Sequence, residues 1–200
     1  MNVISLFPIP VGEFSLGRDF TKQEIQYLDT ISYKEQTYNF GSVDSYILKA
    51  PELKKLRDFC QNSLQEYLSN IIFPSNKKIK LKITESWVNI SNKGQSHHIH
   101  YHSNSFLSGV LYLHTCKEDS ITFYKSDYQP ILIPTENYNI FNSLNWKLPT
   151  QIGTLYIFPS SLVHSVQSVN HDHRVSISFN SYPVGSFGAR TFSLTIKDIE

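Results

Sequence analysis

With 200 residues, 18% charged, and a formal net charge of +1, the chain is long enough for one domain with a substantial core. It carries no block of like charges that would mark a protein built mainly to bind phosphate backbones. No stretch approaches eighteen apolar residues, and "MNVISLFPIPVGEF" lacks a basic run and is broken by Pro8 and Pro10, so neither a membrane span nor a signal peptide is expected. Cys60 and Cys116 are far apart and match no zinc spacing, which fits reduced thiols in a soluble, cytoplasmic protein.

The first third reads as mixed. Thr21 with Glu24 three residues on is a capping-box pattern, and Ile25, Leu28 and Ile31 follow at helical spacing. Pro51 suits the first turn of a second helix. Leu53, Leu56, Cys60, Leu64, Tyr67, Leu68 and Ile71 form an apolar stripe that predicts a helix over about 52–70. After residue 78 the period changes. In "KIKLKITESWVNIS" Ile79, Leu81 and Ile83 alternate with lysines, as on a strand. "FLSGVLYLHT", "DSITFYK", "GTLYIFPS", "RVSISFNSYP" and "TFSLTIK" follow, each short, rich in β-branched or aromatic residues and bounded by turn formers. Many short strands with turn signals predict a sandwich or barrel. The whole chain, 1–200, is expected to be a single domain, with helices within about 1–75 packed on an all-β core of about 79–200. The segments 33–50 and 125–150 read as loops of the kind that shape substrate entry. Ser108-Gly109 marks tight packing or a bend in a strand, and Trp87 reads as core.

Four of the eight histidines fall in "HHIHYH": His97, His98, His100 and His102. If this segment is extended, period 2 puts His98, His100 and His102 on one face and His97 on the other. Two imidazoles two residues apart can converge on one ion, and histidine suits Zn, Cu, Fe and Ni. Both His98/His100 and His100/His102 satisfy that spacing. A third ligand must come from elsewhere, and His164 in "GTLYIFPSSLVHSV" is the best candidate. Ten residues later, Arg174 and Ser176 share a strand face. The arginine offers a planar fork for a carboxylate, and the serine a hydroxyl beside it. Tyr112 and Asn89 lie on candidate core strands and could donate to the same ligand. Together these residues suit iron(II) held by three side chains, with a carboxylate-bearing cosubstrate anchored nearby.

This arrangement resembles the iron(II)/2-oxoglutarate-dependent oxygenases, and more particularly a family of such oxygenases found in phage and bacterial genomes. The similar stretches are "LFPIPV", "SWVNI", "HIHYHSNSFLSGVLYL", "GTLYIFPSSLVHSV" and "RVSISFN", in this order across nearly the whole chain. The resemblance implies a double-stranded β-helix (a jelly-roll, cupin-like core) flanked by N-terminal helices. It implies Fe(II) and 2-oxoglutarate as cofactors, with dioxygen and a further substrate as reaction partners. His100, His102 and His164 would hold the metal, and no separate catalytic residue is implied. Arg174, supported by Ser176, would take the far carboxylate of 2-oxoglutarate, with Tyr112 and Asn89 as further contacts. His102 stands where most of the superfamily has Asp or Glu, so the site would carry one negative charge fewer. The expected reaction is oxidative decarboxylation of 2-oxoglutarate coupled to hydroxylation of a substrate. Two other functions fit parts of the pattern: a metal-binding cupin-like protein without oxygenase activity, and a non-enzymatic β-sandwich binding module.

Overall fold

The computed structural model describes residues 1–125, 135–189 and 192–197. In chain order the elements are β1 (Gly12–Ser15), α1 (Lys22–Thr30), β2 (Tyr33–Glu35), β3 (Phe40–Ser42), α2 (Lys54–Tyr67), β4 (Lys80–Ser91), β5 (His97–His100), β6 (Leu107–His114), β7 (Ser120–Tyr124), β8 (Asn145–Pro149), β9 (Thr154–Pro159), β10 (His164–Val166), β11 (Arg174–Ala189) and β12 (Phe192–Ile196). The protein is mostly β with flanking N-terminal helices, and its core is a jelly roll.

Two sheets make that core. The larger runs β1-β9-β6-β11-β4-β3-β2, with β12 folded back on β11, and the smaller runs β5-β10-β7-β8. The central strands β6 and β9 of the larger sheet are buried on both faces, which explains why they read as near-continuous apolar runs. One face packs on the helices. Leu107, Leu111, Leu155, Ile157, Ile177 and Phe179 join Leu48, Leu53, Leu56, Cys60 and Leu64 in a single apolar cluster there. The other face looks toward the smaller sheet across Val110, Tyr112, Ile121, Phe123, Tyr156, Phe158 and Leu162. On β11 the period-2 alternation sends Ile177 and Phe179 to the helices. It sends Arg174, Ser176, Ser178 and Asn180 to the space between the sheets, where all four are buried. That buried polar row marks the site.

The helices begin largely as the sequence predicts. Thr21 caps α1 in a complete capping box with Glu24. Ile25, however, is exposed, while Glu24 is buried against Arg18 at 2.6 Å. After a 3₁₀ turn at Pro51–Leu53, α2 ends at Tyr67 and continues as a π turn over Leu68–Ile72, closed by Phe73 in the left-handed region. The wider turn breaks the 3.6 period, so Ile71, the last residue of the apolar stripe, points to solvent. Segment 33–50 is not all loop: it holds β2, β3 and a 3₁₀ turn at Ile47–Lys49. Within 125–150, β8 is a strand paired with β7, and residues 126–134 lie outside the described residues. Gly109 is a site of tight packing, since a methyl group there would overlap the Phe179 ring. Both cysteines are free thiols.

Candidate metal centre and adjoining pocket

His100 ends β5 and His164 begins β10, and the two are register partners in the smaller sheet. His102 lies just beyond β5, tied by its backbone N–H to the Ser160 carbonyl at 2.9 Å. These turns bring the three imidazoles together, with one ligand atom from each lying within 4.8 Å of the others. The ring centroids are 4.3 Å apart for His100 and His164, 5.0 Å for His102 and His164, and 5.2 Å for His100 and His102.

Each ring is oriented from behind by its Nδ1. His164 Nδ1 donates to the Leu162 carbonyl at 2.9 Å, and His100 Nδ1 to the His98 carbonyl at 2.8 Å. A carbonyl can only accept, so both rings carry their proton on Nδ1 and leave Nε2 bare. His102 Nδ1 faces Asn180 Oδ1 and Ser108 Oγ, each at 2.7 Å. The Asn180 amide is itself oriented, because its Nδ2 donates to Glu85 Oε1 at 2.6 Å. Its oxygen therefore faces His102, and Nδ1 of that ring is again the donor. The consequence is a contact of 3.2 Å between His100 Nε2 and His102 Nε2, neither of which has a proton to offer the other. Two lone pairs at that distance call for a cation between them. Burial pushes the imidazoles down, His164 to about 3 and His100 to about 4, with neighbouring rings adding to the effect. Burial also lowers His102, opposed by its hydrogen bond to Asn180. All three are thus neutral at pH 7, the form in which imidazole binds metal.

The triad opens on a narrow cavity of about 40 Å³ lined also by Trp87, Asn89, Tyr112, Arg174, Ser176 and Ser178. The register explains this company. Ser176 lies opposite Asn89 on one side and Tyr112 on the other, and Ser178 lies between Trp87 and Val110. The next row, Glu85–Asn180–Ser108, supports His102 from behind. Arg174 Nε pairs with Asp119 Oδ2 at 2.6 Å, both side chains being buried. Its Nη2 has no partner among the described residues, nor does the Tyr112 hydroxyl, and the guanidinium lies 5.2 Å from the Tyr112 ring centroid. Burial holds the Tyr112 phenol above its ordinary range, so it remains an O–H donor. Two buried donors without acceptors, side by side, fit a carboxylate. Leaving such a pair unsatisfied costs on the order of 1–3 kcal/mol per group. Asn89 Nδ2 donates to Ser178 Oγ at 3.0 Å, and its Oδ1 is likewise without a partner.

The structure therefore brings together every residue singled out for this region: His100, His102, His164, Arg174, Ser176, Tyr112 and Asn89 line one cavity. Three expectations change. His97 was expected to point away, yet it lines the cavity, whereas His98 is exposed. The cause is a bulge. His164 pairs with His100 but Val166 pairs with His97, so β5 holds an extra residue and its alternation slips by one. Trp87 is not simply core, since it lines the cavity with its ring 5.7 Å from that of His102. Asp119, Asn180 and Glu85 went unnoticed in the sequence, and Ser108 was noted only for packing or a bend. Asn180 alone carried a signal, lying on the Arg174–Ser176 face at period 2.

The chain is similar to known proteins in part of its sequence and in its fold. The family described as "Putative 2OG-Fe(II) oxygenase" matches residues 85–180. No curated protein matches the chain in sequence. Among solved structures, HygX from Streptomyces hygroscopicus, with nickel, 2-oxoglutarate and hygromycin B bound, superposes with a TM-score of 0.58 at 11% identity, covering 86% of this chain and 82% of its own. SnoN, a non-heme alpha-ketoglutarate-dependent epimerase from nogalamycin biosynthesis, gives 0.57 at 13% identity, covering 86% and 78%. An oxidoreductase of the 2OG-Fe(II) oxygenase family from Burkholderia pseudomallei gives 0.56 at 12% identity, covering 81% and 79%. Likeness at these identities shows a shared fold.

Proposed function

We propose that the chain, whose residues 85–180 match the 2OG-Fe(II) oxygenase family and whose fold is shared with such oxygenases, is a working iron(II)/2-oxoglutarate-dependent dioxygenase, hydroxylating a substrate other than 2-oxoglutarate. The observation that carries the reading is the pairing of two complementary deficits in one cavity: bare imidazole nitrogens that need a cation, and orphaned buried donors that need a carboxylate. A protein that only binds metal has no use for the second.

His100, His102 and His164 would hold iron(II) through Nε2, completing the three-point set around an ion that keeps open positions for other ligands. Arg174 Nη2 and the Tyr112 hydroxyl would take the far carboxylate of 2-oxoglutarate, with Ser176 and Asn89 beside them. HygX, with metal and 2-oxoglutarate bound on the same fold, supports this choice of cofactors. When bound, iron(II) and 2-oxoglutarate supply dioxygen activation coupled to decarboxylation of the cosubstrate.

The protein's own part is positioning and electrostatics. Asp119 holds the guanidinium by Nε, so Arg174 presents Nη2 with its direction already set. The Nδ1 hydrogen bonds to Leu162, His98 and Asn180 fix the direction and tautomer of each imidazole. Three neutral imidazoles leave the metal's charge uncompensated by any carboxylate ligand, and this favours anionic ligands in the open positions. Anaerobic addition of iron(II) and 2-oxoglutarate should give a weak visible charge-transfer band, and air should then yield succinate. Absence of both would sink the reading.

A further inference from the structure

Besides the inner triad, His97, His98 and His100 also offer one ligand atom each within 4.8 Å of one another. The two groups share His100. The outer group exists because of the β5 bulge, which turns His97 to the same side as His100 despite their spacing of three. Its ring centroids are 5.1 Å apart for His97 and His98, 4.6 Å for His97 and His100, and 4.9 Å for His98 and His100. Those separations match the inner triad's. Two consecutive residues just before β3 flank it: the Tyr38 ring lies 5.5 Å from that of His98, and Asn39 Nδ2 lies 3.1 Å from His97 Nδ1, so an ion on His97 Nε2 requires the Asn39 amide to turn and accept from Nδ1–H. His98 is exposed, whereas His164 of the inner triad is 4% exposed, so the outer group reaches solvent through His98 while its other two rings are half-buried.

We propose that His97, His98 and His100 form a second transition-metal site at the mouth of the cavity, sharing His100 with the inner triad, so that a single ion occupies one site or the other. The proposal rests on the inner triad being the iron site described above. The sharing follows from chemistry. His100 Nδ1 is committed to the His98 carbonyl and one lone pair remains, on Nε2, which serves one ion at a time. Three imidazoles suit zinc, nickel, copper or iron(II), and a water would complete a tetrahedral zinc site. The outer site offers an incoming ion its first histidines, and His100 is the ligand common to both positions.

Zn²⁺ titration by calorimetry, on the full chain without 2-oxoglutarate, tests this. The unaltered chain should take up one equivalent. His164→Ala, and independently His102→Ala, should each retain one equivalent at lower affinity. Adding His98→Gln to either should abolish it; that change removes the exposed ring but keeps the backbone carbonyl that holds His100. Two equivalents in the unaltered chain would overturn the sharing. Loss of all binding in both single variants, or undiminished binding after His98→Gln is added, would overturn the outer site. His98→Gln alone should keep the iron(II)–2-oxoglutarate band. If it loses the band while His164→Ala keeps it, the inner-triad reading fails and the outer site stands as the metal centre.

Discussion

Asn180 is placed between a carboxylate and an imidazole, and its two amide ends answer them in opposite senses. Nδ2 donates to Glu85, and Oδ1 accepts from His102, so the lone pair on His102 Nε2 is directed by a residue that touches no ligand itself. Replacing such an outer partner typically weakens metal affinity 10–100-fold. Asn180→Ala should therefore lower iron(II) affinity by about that factor in competition with a chelator, with little change in the far-ultraviolet spectrum. A similar division of labour governs Arg174, whose Nε is taken by Asp119 while Nη2 has no partner among the described residues. Lysine has a single ammonium and cannot face both ways. Arg174→Lys should thus raise the 2-oxoglutarate concentration needed for half-maximal band formation by tenfold or more, about 1.4 kcal/mol, without displacing iron. Equal cosubstrate affinity in the variant would show that the guanidinium serves only Asp119.

Among the elements, β6 and α1 each carry a single position on which their packing turns. Gly109 leaves room for the Phe179 ring, which is buried among the helix-facing residues of the larger sheet. Gly109→Ala should cost about 1–3 kcal/mol in urea denaturation, the usual range for overpacking. In α1, burial acts to raise the Glu24 carboxyl, but hydrogen bonds from Arg18 and Thr21 outweigh it and hold the group below its ordinary value. A depressed carboxyl contributes stability above its unfolded pKa and loses that contribution as pH falls through the folded one. Glu24→Gln should therefore cost about 1–3 kcal/mol at neutral pH, and the gap should close as pH falls below the ordinary carboxylate range. The same elements show what the sequence discloses. The α2 stripe and the β4 alternation were legible because they run long enough to fix a period. Strands β2, β3 and β10 are three residues each, too short to show one. The bulge in β5 defeats period counting outright, so the chain showed that histidines converge but misplaced His97. His164, Arg174 and Ser176 were legible through their joint spacing, while Asp119 and Glu85 reach the site only by tertiary pairing, for which local sequence has no marker.

At the scale of the molecule, the candidate site is a seam between the two sheets. His100 and His164 come from the smaller sheet, while Asn89, Tyr112, Arg174 and Ser176 come from the larger. The buried Asp119–Arg174 pair already ties the loop before β7 to β11 across that seam. A metal on the histidines, chelated by a 2-oxoglutarate whose other end rests on Arg174, would tie the sheets together a second time. Ligand that binds only the folded state stabilises it by about 2.7 kcal/mol at a hundred times Kd. For a chain of 150–250 residues each kcal/mol moves Tm by roughly 2–4 °C, so saturating iron(II) with 2-oxoglutarate should raise Tm by about 5–10 °C under anaerobic conditions. The coupling has a direction that separates it from nonspecific effects. 2-Oxoglutarate without metal should shift Tm little, because one of its anchors is missing, whereas metal alone should shift it by an intermediate amount. Arg174→Ala should keep the metal's contribution and lose the increment from 2-oxoglutarate. An equal increment in that variant would mean that the cosubstrate binds on the histidine side alone, and that the orphaned donors of β11 and β6 serve another ligand.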